Sequence, residues 1–369
     1  MRRPSSPLAR AGCVAYAILI LYGSLTPFTG WRDNGIGPLA YLTAPLPRHL
    51  PAFDVVVNIL AYIPFGALLV LAVYPRLRSA GGAVAAALIG FAVSAAVEAI
   101  QTYLPARVAS NVDLLTNGLG TLVGAIAASI YAEELIDRGR LARLRARWFV
   151  RDAAAPLVLI ALWPLAQIHP GPMLFGNGAA GVAGWFGDWL ADLTGIAAPA
   201  STLRFGPAQF VAAEVLATVT GLLAVGFSLA LLTRPRAPRG RLLVALVGAA
   251  LGAKAIAYGV TFGPEHAFAW LTPGALTGLA LGVLGMAVAA VAPSELAFAR
   301  LALIAVTALL LLVNLVPDNP YHAAWIQAWH PGKLAHFSAA ARWLATMWPY
   351  ALLLWLLWVR RDRSGTRDA

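Results

Sequence analysis

The chain is dominated by apolar runs, each long enough to cross a bilayer. The hydrocarbon layer of a membrane is about 30 Å thick, and a helix needs about 20 mostly apolar residues to span it. Such runs are read at 9–28, 54–74, 81–103, 113–132, 153–169, 206–232, 242–262, 273–292, 301–317 and 342–359. Backbone N–H and C=O groups find no water in lipid, so each run is expected to be helical. The expected fold class is all-α: a polytopic transmembrane helix bundle of about ten spans.

Composition agrees. The 369 residues are 60% hydrophobic and 12% charged, where soluble domains carry about a quarter charged residues. Mean hydropathy is +0.74. These values exclude mixed soluble folds, disordered chains, coiled coils and disulfide scaffolds. The single cysteine, Cys13, has no partner for an intrachain disulfide, and no Cys/His cluster has zinc-site spacing. Neither a metal nor a cofactor is expected. The first run lacks a small-x-small cleavage site and reads as a retained signal anchor. Arg10 stands three residues before Cys13 with no apolar run upstream, which argues against a lipoprotein signal.

The formal net charge of +11 raises nucleic acid as a partner, but the placement of the basic residues points elsewhere. With the N-terminus in the cytoplasm, most of the 27 basic residues fall on inside connections. These include Arg2, Arg3, Arg10, Arg76, Arg78, the run from Arg138 to Arg151, Arg234 to Arg241, Arg300, and Arg360 to Arg367. Outside connections hold only Arg32, Arg48, Arg107, Arg204, Lys333 and Arg342. The pattern places both termini in the cytoplasm and sets the arginines against anionic head groups of the bilayer. The 138–151 run lacks interleaved aromatics for stacking on bases, so no nucleic-acid partner is expected. Lysine stands only at Lys254 and Lys333. That bias suits a GC-rich bacterial genome and a location in the bacterial cytoplasmic (inner) membrane.

Two outside connections carry aromatic patterns. Trp185, Phe186, Trp189, Leu190 and Leu193 share a helical face opposite Asp188 and Asp192, and Tyr321, Trp325 and Trp329 recur every four residues after Pro317–Pro320. Both are expected to be short helices in the outer head-group layer, fixing depth or admitting an amphiphile.

Polar side chains inside apolar runs are costly, so their positions are informative. The second run carries Asp54 and, four residues on, Asn58, then Pro64 and Gly66. The third has Ser94, Glu98 and Gln101 along one stripe near its end. The fourth opens with Asp113, followed by Asn117, Gly120 and Gly124. With the topology above, Asp54, Asn58, Glu98, Gln101, Asp113 and Asn117 all lie in the outer half of the bilayer, with Arg107 in a short connection beside them. One polar cluster is expected, packed through Gly120 and Gly124. Asp54 and Asp113 also suit helix N-terminal capping, and Asn58 and Asn117 suit interhelical hydrogen bonding. Glu98 lies too deep for a cap on its own helix, and Arg107 is its nearest cation by sequence.

The ordered series Asp54-x3-Asn58, Pro64-Phe65-Gly66, Ser94-x3-Glu98-x2-Gln101, Arg107, and Asp113-x3-Asn117-x2-Gly120-x3-Gly124 resembles the VanZ-like family of bacterial membrane proteins. The opening Tyr22-Gly-Ser-Leu-Thr-Pro27-Phe28 with Trp31 is similar to the same family's first helix and loop, so the resemblance spans about residues 15–131. A looser likeness is Lys333-x2-His336-Phe337 before the last run. The resemblance implies a VanZ-like four-helix transmembrane domain over 1–132; the long basic run 133–152 reads as a cytoplasmic connection and the natural internal boundary, and 153–369 as a six-helix transmembrane extension that the resemblance does not describe. The resemblance also implies a link to resistance against teicoplanin, a lipid-tailed glycopeptide, and carries over no catalytic residue.

Three functions remain open at this point. The first is binding of an amphiphile, envelope lipid or lipoglycopeptide at the outer-leaflet cluster of Asp54, Asn58, Ser94, Glu98, Gln101, Arg107, Asp113 and Asn117. The second is an enzyme acting on envelope lipids, with Glu98, Asp113, Asp54 and His49 as acid/base groups. The third is a secondary transporter, with Lys254 matched by Glu265 or Glu98. A Glu133-Glu134-x3-Arg138 string with Phe262-x3-His266 imitates an intramembrane endopeptidase signature, but the topology puts its halves on opposite faces. Oligomeric state is left open.

Overall fold

The computed structural model describes residues 6–46, 52–150, 152–171, 173–180, 205–291, 295–317 and 335–365. The aromatic connections around Trp185 and Trp325, together with His49, Arg204 and Lys333, lie outside the described residues. The fold is all-α, with α1 at Pro7–Leu25, α2 at Ala52–Val73, α3 at Ser79–Gln101 and α4 at Asn111–Glu133. A π-turn at Glu134–Arg138 leads into α5 at Arg140–Trp148. There follow α6 (Ala154–Ala161), α7 (Trp163–Ala166), α8 (Pro207–Leu232), α9 (Arg239–Phe262), α10 (Pro273–Val291), α11 (Glu295–Leu315) and α12 (Ala335–Gly365). Among the described residues seven helices are long and apolar enough to cross a membrane, and the chain is a multi-pass membrane protein.

Local chemistry sets the helix limits. Ser6 caps α1 by accepting the Ala9 N–H at 3.4 Å, and Pro7 occupies the first turn, where its missing N–H costs nothing. Ser110 caps α4 by accepting from Val112 and Asp113. Gly263, at φ 104°, ends α9 in a conformation that side-chain-bearing residues avoid.

The described residues divide into two compact units. The first is built on α1–α4 and continues through Arg147; the second is built on α8–α11 with most of α12. In the first unit Tyr62, Phe65, Leu69 and Val70 of α2, with Tyr74 just beyond it, pack against Ala83 and Ala86 of α3 and Ala125, Ala128 and Ala132 of α4. Large side chains on one helix meet small ones on its neighbours, so the backbones come close. The outward faces stay apolar: Val56, Leu60, Leu88, Phe91, Ile126 and Ile130 are exposed, as lipid-facing residues should be. In the second unit α8 is the central post and is largely buried. Gly274, Gly278 and Gly282 of α10 lie against Glu214, Thr218 and Leu222 of α8.

Three of the ten expected spans are not among these seven: 342–359, 273–292, whose shorter apolar helix is Pro273–Ala287, and 153–169, which differs most. The run 153–169 forms α6 and α7, together reaching only from Ala154 to Ala166. At about 1.5 Å per residue this is too short to cross unaided. Pro164 sits at the start of α7, and the chain beyond turns into non-helical backbone with Met173, Leu174 and Phe175 buried. Irregular backbone at depth must be satisfied by protein. Here Gln167 Nε2 donates to Asn177 Oδ1 at 2.7 Å, Asn177 Nδ2 to the Ala166 carbonyl at 3.1 Å, and Thr218 to the Leu174 carbonyl at 3.1 Å.

Candidate functional site: a polar cluster and cavity at one end of the first unit

The start of α4 organises the site. Its N-cap, Ser110, satisfies two of the helix's first N–H groups through its hydroxyl, and its own N–H donates to Glu98 Oε2 of α3 at 2.7 Å. A capping box does this locally, with an acidic side chain one turn into the same helix. Here the carboxyl comes from the neighbouring helix, where it also suits the positive end of the α4 dipole. Glu98 is only 2% exposed. With Ser110 as the cap, Asp113 is left free for another partner.

That partner is Asn58. Its amide donates to Asp113 Oδ1 at 3.0 Å, joining α2 to α4. One turn deeper, Asn117 donates to the buried Ser94 hydroxyl at 3.0 Å, joining α4 to α3. Asn117 Oδ1 is buried without a hydrogen-bond partner among the described residues. Such a group costs about 1–3 kcal/mol unless something fills its place. Close packing below the polar layer makes these contacts reachable. A Cβ on Gly120 would strike the Ile59 carbonyl oxygen, one on Gly124 that of Ile63, and one on Gly66 that of Thr121.

Asp54 stays exposed at the start of α2, near enough to Asp113 to act on it electrostatically. Gln101 and Arg107 turn to α1 instead. Gln101 Nε2 donates to the Ser24 carbonyl at 2.9 Å, and Arg107 donates from Nε to Thr26 O at 2.9 Å and from Nη2 to Gly23 O. A cation at a helix C-terminus opposes the dipole and occupies free carbonyls. Burial pulls the Arg107 guanidinium down to about 10 against the upward pull of Glu98 and Asp113, so it stays charged at neutral pH.

The segment from Phe28 to Leu46 folds over this end. Arg32 N–H bonds to Tyr103 O at 3.1 Å, Asn34 Nδ2 to Thr102 O at 2.9 Å, Tyr41 OH to Ala95 O at 3.1 Å, and Asn111 Nδ2 to Ala44 O at 2.7 Å. Between this segment and the α3–α4 connection lies a cavity of about 390 Å³, whose lining includes Arg32, Asn34, Tyr41, Thr102, Arg107 and Val108. Arg32, Asn34 and Tyr41 are site residues that reading the sequence missed. Nothing in their local pattern marks them, because they are brought in by a loop.

Residues 12–132 match the VanZ/LLP1 family. The VanZ/LLP1 segment runs from the first turns of α1 to the end of α4, and so contains every residue of the cluster and the cavity. No curated protein and no solved structure matches the chain.

A second buried charge lies outside the VanZ/LLP1 segment. Lys254 of α9 is 2% exposed, with Nζ 5.4 Å from the centre of the Tyr258 ring. The acid acting on it is Glu214 of α8, which shares a hydrogen bond with Thr272. Glu265, one of the partners expected from sequence, is instead exposed, 3.4 Å from His266 Nδ1. Glu214 was legible as a lone acid in an apolar run, with Thr218 four residues on, and reading the sequence passed over it.

Proposed function

We propose that the first unit binds an amphiphile or cell-envelope lipid at its polar end, and that this end faces the outer leaflet of a bacterial cytoplasmic membrane. The observation that carries the reading is the meeting of Asn58, Ser94, Glu98, Asp113 and Asn117 from three spans beside a cavity at the edge of the apolar layer. Polar groups at that depth suit a ligand with a polar head and an apolar tail. Topology supports the outer placement. Arg10, Arg76, Arg78, Arg143 and Arg147 belong to the opposite end of α1–α4, which the positive-inside rule assigns to the cytoplasm. In this reading the chain has about ten spans with both termini inside, and the VanZ/LLP1 segment contributes to protection against lipid-tailed glycopeptides such as teicoplanin.

The test is photo-crosslinking with a phospholipid carrying a photoreactive group near its head, followed by mapping of the labelled peptides. Labels should concentrate on residues 28–46 and 102–110. Labels spread evenly along the spans would sink the proposal. For the resistance arm, Glu98→Gln with Asp113→Asn should remove protection while the protein stays in the membrane, and unchanged susceptibility would remove that arm.

Secondary transport is a second reading, favoured by the buried Lys254 beside Glu214 on adjoining helices of the second unit. A pH jump on supported proteoliposomes should then give a transient current that Glu214→Gln removes. Silence of the unaltered chain would end it.

A further inference from the structure

The cavity beside Arg107 carries positive charge on a wall that is otherwise largely apolar. Among the described residues, the side-chain hydrogen bonds of Arg32 engage only Nε, which donates to Asn34 Oδ1 at 3.0 Å. Those of Arg107 engage Nε and Nη2, both on carbonyls of the α1 terminus. Both η nitrogens of Arg32 and Nη1 of Arg107 therefore remain as donors on two side chains that line one cavity. A guanidinium offers planar paired donors that match phosphate oxygens better than any other side chain does. The acids nearby do not fill this role: Glu98 is 2% exposed and committed to Ser110, and Asp33 accepts from Gly35 N–H.

The rim has the opposite character. Ile36 and Val108 line the same cavity and are 54% and 86% exposed. Trp31, Leu39, Leu42 and Leu46 on the same segment are exposed as well. An exposed apolar rim beside a basic recess, at the ends of membrane spans, is a surface built for the head-group boundary. Its volume of about 390 Å³ lies near the lower end of the roughly 300–1,000 Å³ typical of small-ligand sites. That is room for a head group, with the tail left outside along the rim.

We propose that the cavity holds the phosphate of an anionic membrane lipid, gripped by Arg32 and Arg107, with the acyl chains lying against Ile36 and Val108. The proposal rests on the amphiphile-binding reading above and narrows it to one head-group chemistry.

The experiment uses the full chain, purified in a neutral detergent, with fluorescent phosphatidylglycerol and phosphatidylcholine as probes read by anisotropy. The unaltered protein should bind phosphatidylglycerol about tenfold more tightly than phosphatidylcholine. Arg32→Gln should remove that preference, Arg32→Lys should keep part of it, and Arg76→Gln, a surface arginine at the other end, should leave it intact. Arg32 is the informative position because Arg107 also holds the end of α1. Equal binding of the two lipids overturns the anionic-lipid assignment, since both carry a phosphate and only phosphatidylglycerol is net negative; full preference in Arg32→Gln overturns the assignment to Arg32, and either leaves the broader amphiphile reading standing. Binding of neither lipid overturns both. Displacement of phosphatidylglycerol by millimolar inorganic phosphate overturns the lipid assignment in favour of the free anion.

Discussion

At the scale of single residues, Glu98 shows how a costly side chain finds local work. The carboxyl that reading the sequence marked as too deep for a cap does cap a helix, though not its own. Sequence spacing placed Asn58, Glu98, Asp113 and Asn117 at one depth, because helical periodicity and span order are enough for that. It left their pairing open. Which carboxyl meets which donor depends on a few ångströms of approach, set by Ser110 and by the glycines beneath. Glu98→Leu should lower stability by about 1–3 kcal/mol by leaving the Ser110 N–H without its acceptor, while Glu98→Gln keeps an oxygen in place and should cost less than half as much. Thermal unfolding in detergent measures both. If the two substitutions cost the same, the charge matters rather than the hydrogen bond.

At the scale of elements, most spans were legible because length and apolarity alone decide whether a helix can cross a bilayer. The clearest exception is instructive. Over 153–169 the hydropathy is that of a span, yet Pro164 and the polar pair Gln167 and Asn177 favour a short helix followed by buried irregular backbone. A window average hides such a break, since two amides among many apolar residues change it little. Their energetic weight is larger than their share of the window. Gln167→Leu leaves Asn177 Oδ1 without its donor and should destabilise the second unit by about 1–3 kcal/mol, read as a lower unfolding midpoint. Glycine positions separate in the same way. Gly120→Val would force α2 and α4 apart at the Ile59 carbonyl, and about 1–3 kcal/mol or more should be lost. Gly252 of α9 has nothing within 4 Å of an added Cβ, so Gly252→Ala should instead raise stability by about 0.5–1 kcal/mol. The same unfolding assay reads both, and a loss at Gly252 would contradict the packing described for α9.

At the scale of the whole molecule, the VanZ/LLP1 match stops at residue 132, inside the first of two compact units. Family resemblance therefore speaks to one unit, while the second brings its own buried charge, Lys254, under the influence of Glu214. What joins function to the fold as a whole is sidedness, because a lipid-binding end has meaning only with respect to a leaflet. The arginine distribution predicts a sidedness, through the energetics of moving charge across a bilayer rather than through any contact within the fold. It can be measured with little disturbance. Cys13 is the sole cysteine, so Cys13→Ser gives a thiol-free background. Leu39, beside the candidate site, and Leu77, at the α2–α3 turn of the opposite end, are both exposed, so a single cysteine at either should be reachable by a reagent. With the N-terminus in the cytoplasm, Leu39→Cys should react with a membrane-impermeant maleimide on intact cells or spheroplasts, and Leu77→Cys only after lysis. The reverse pattern would place the cavity in the cytoplasm. A ligand acting outside the cell would then have no path to Arg32 and Arg107, however well its phosphate fitted between them.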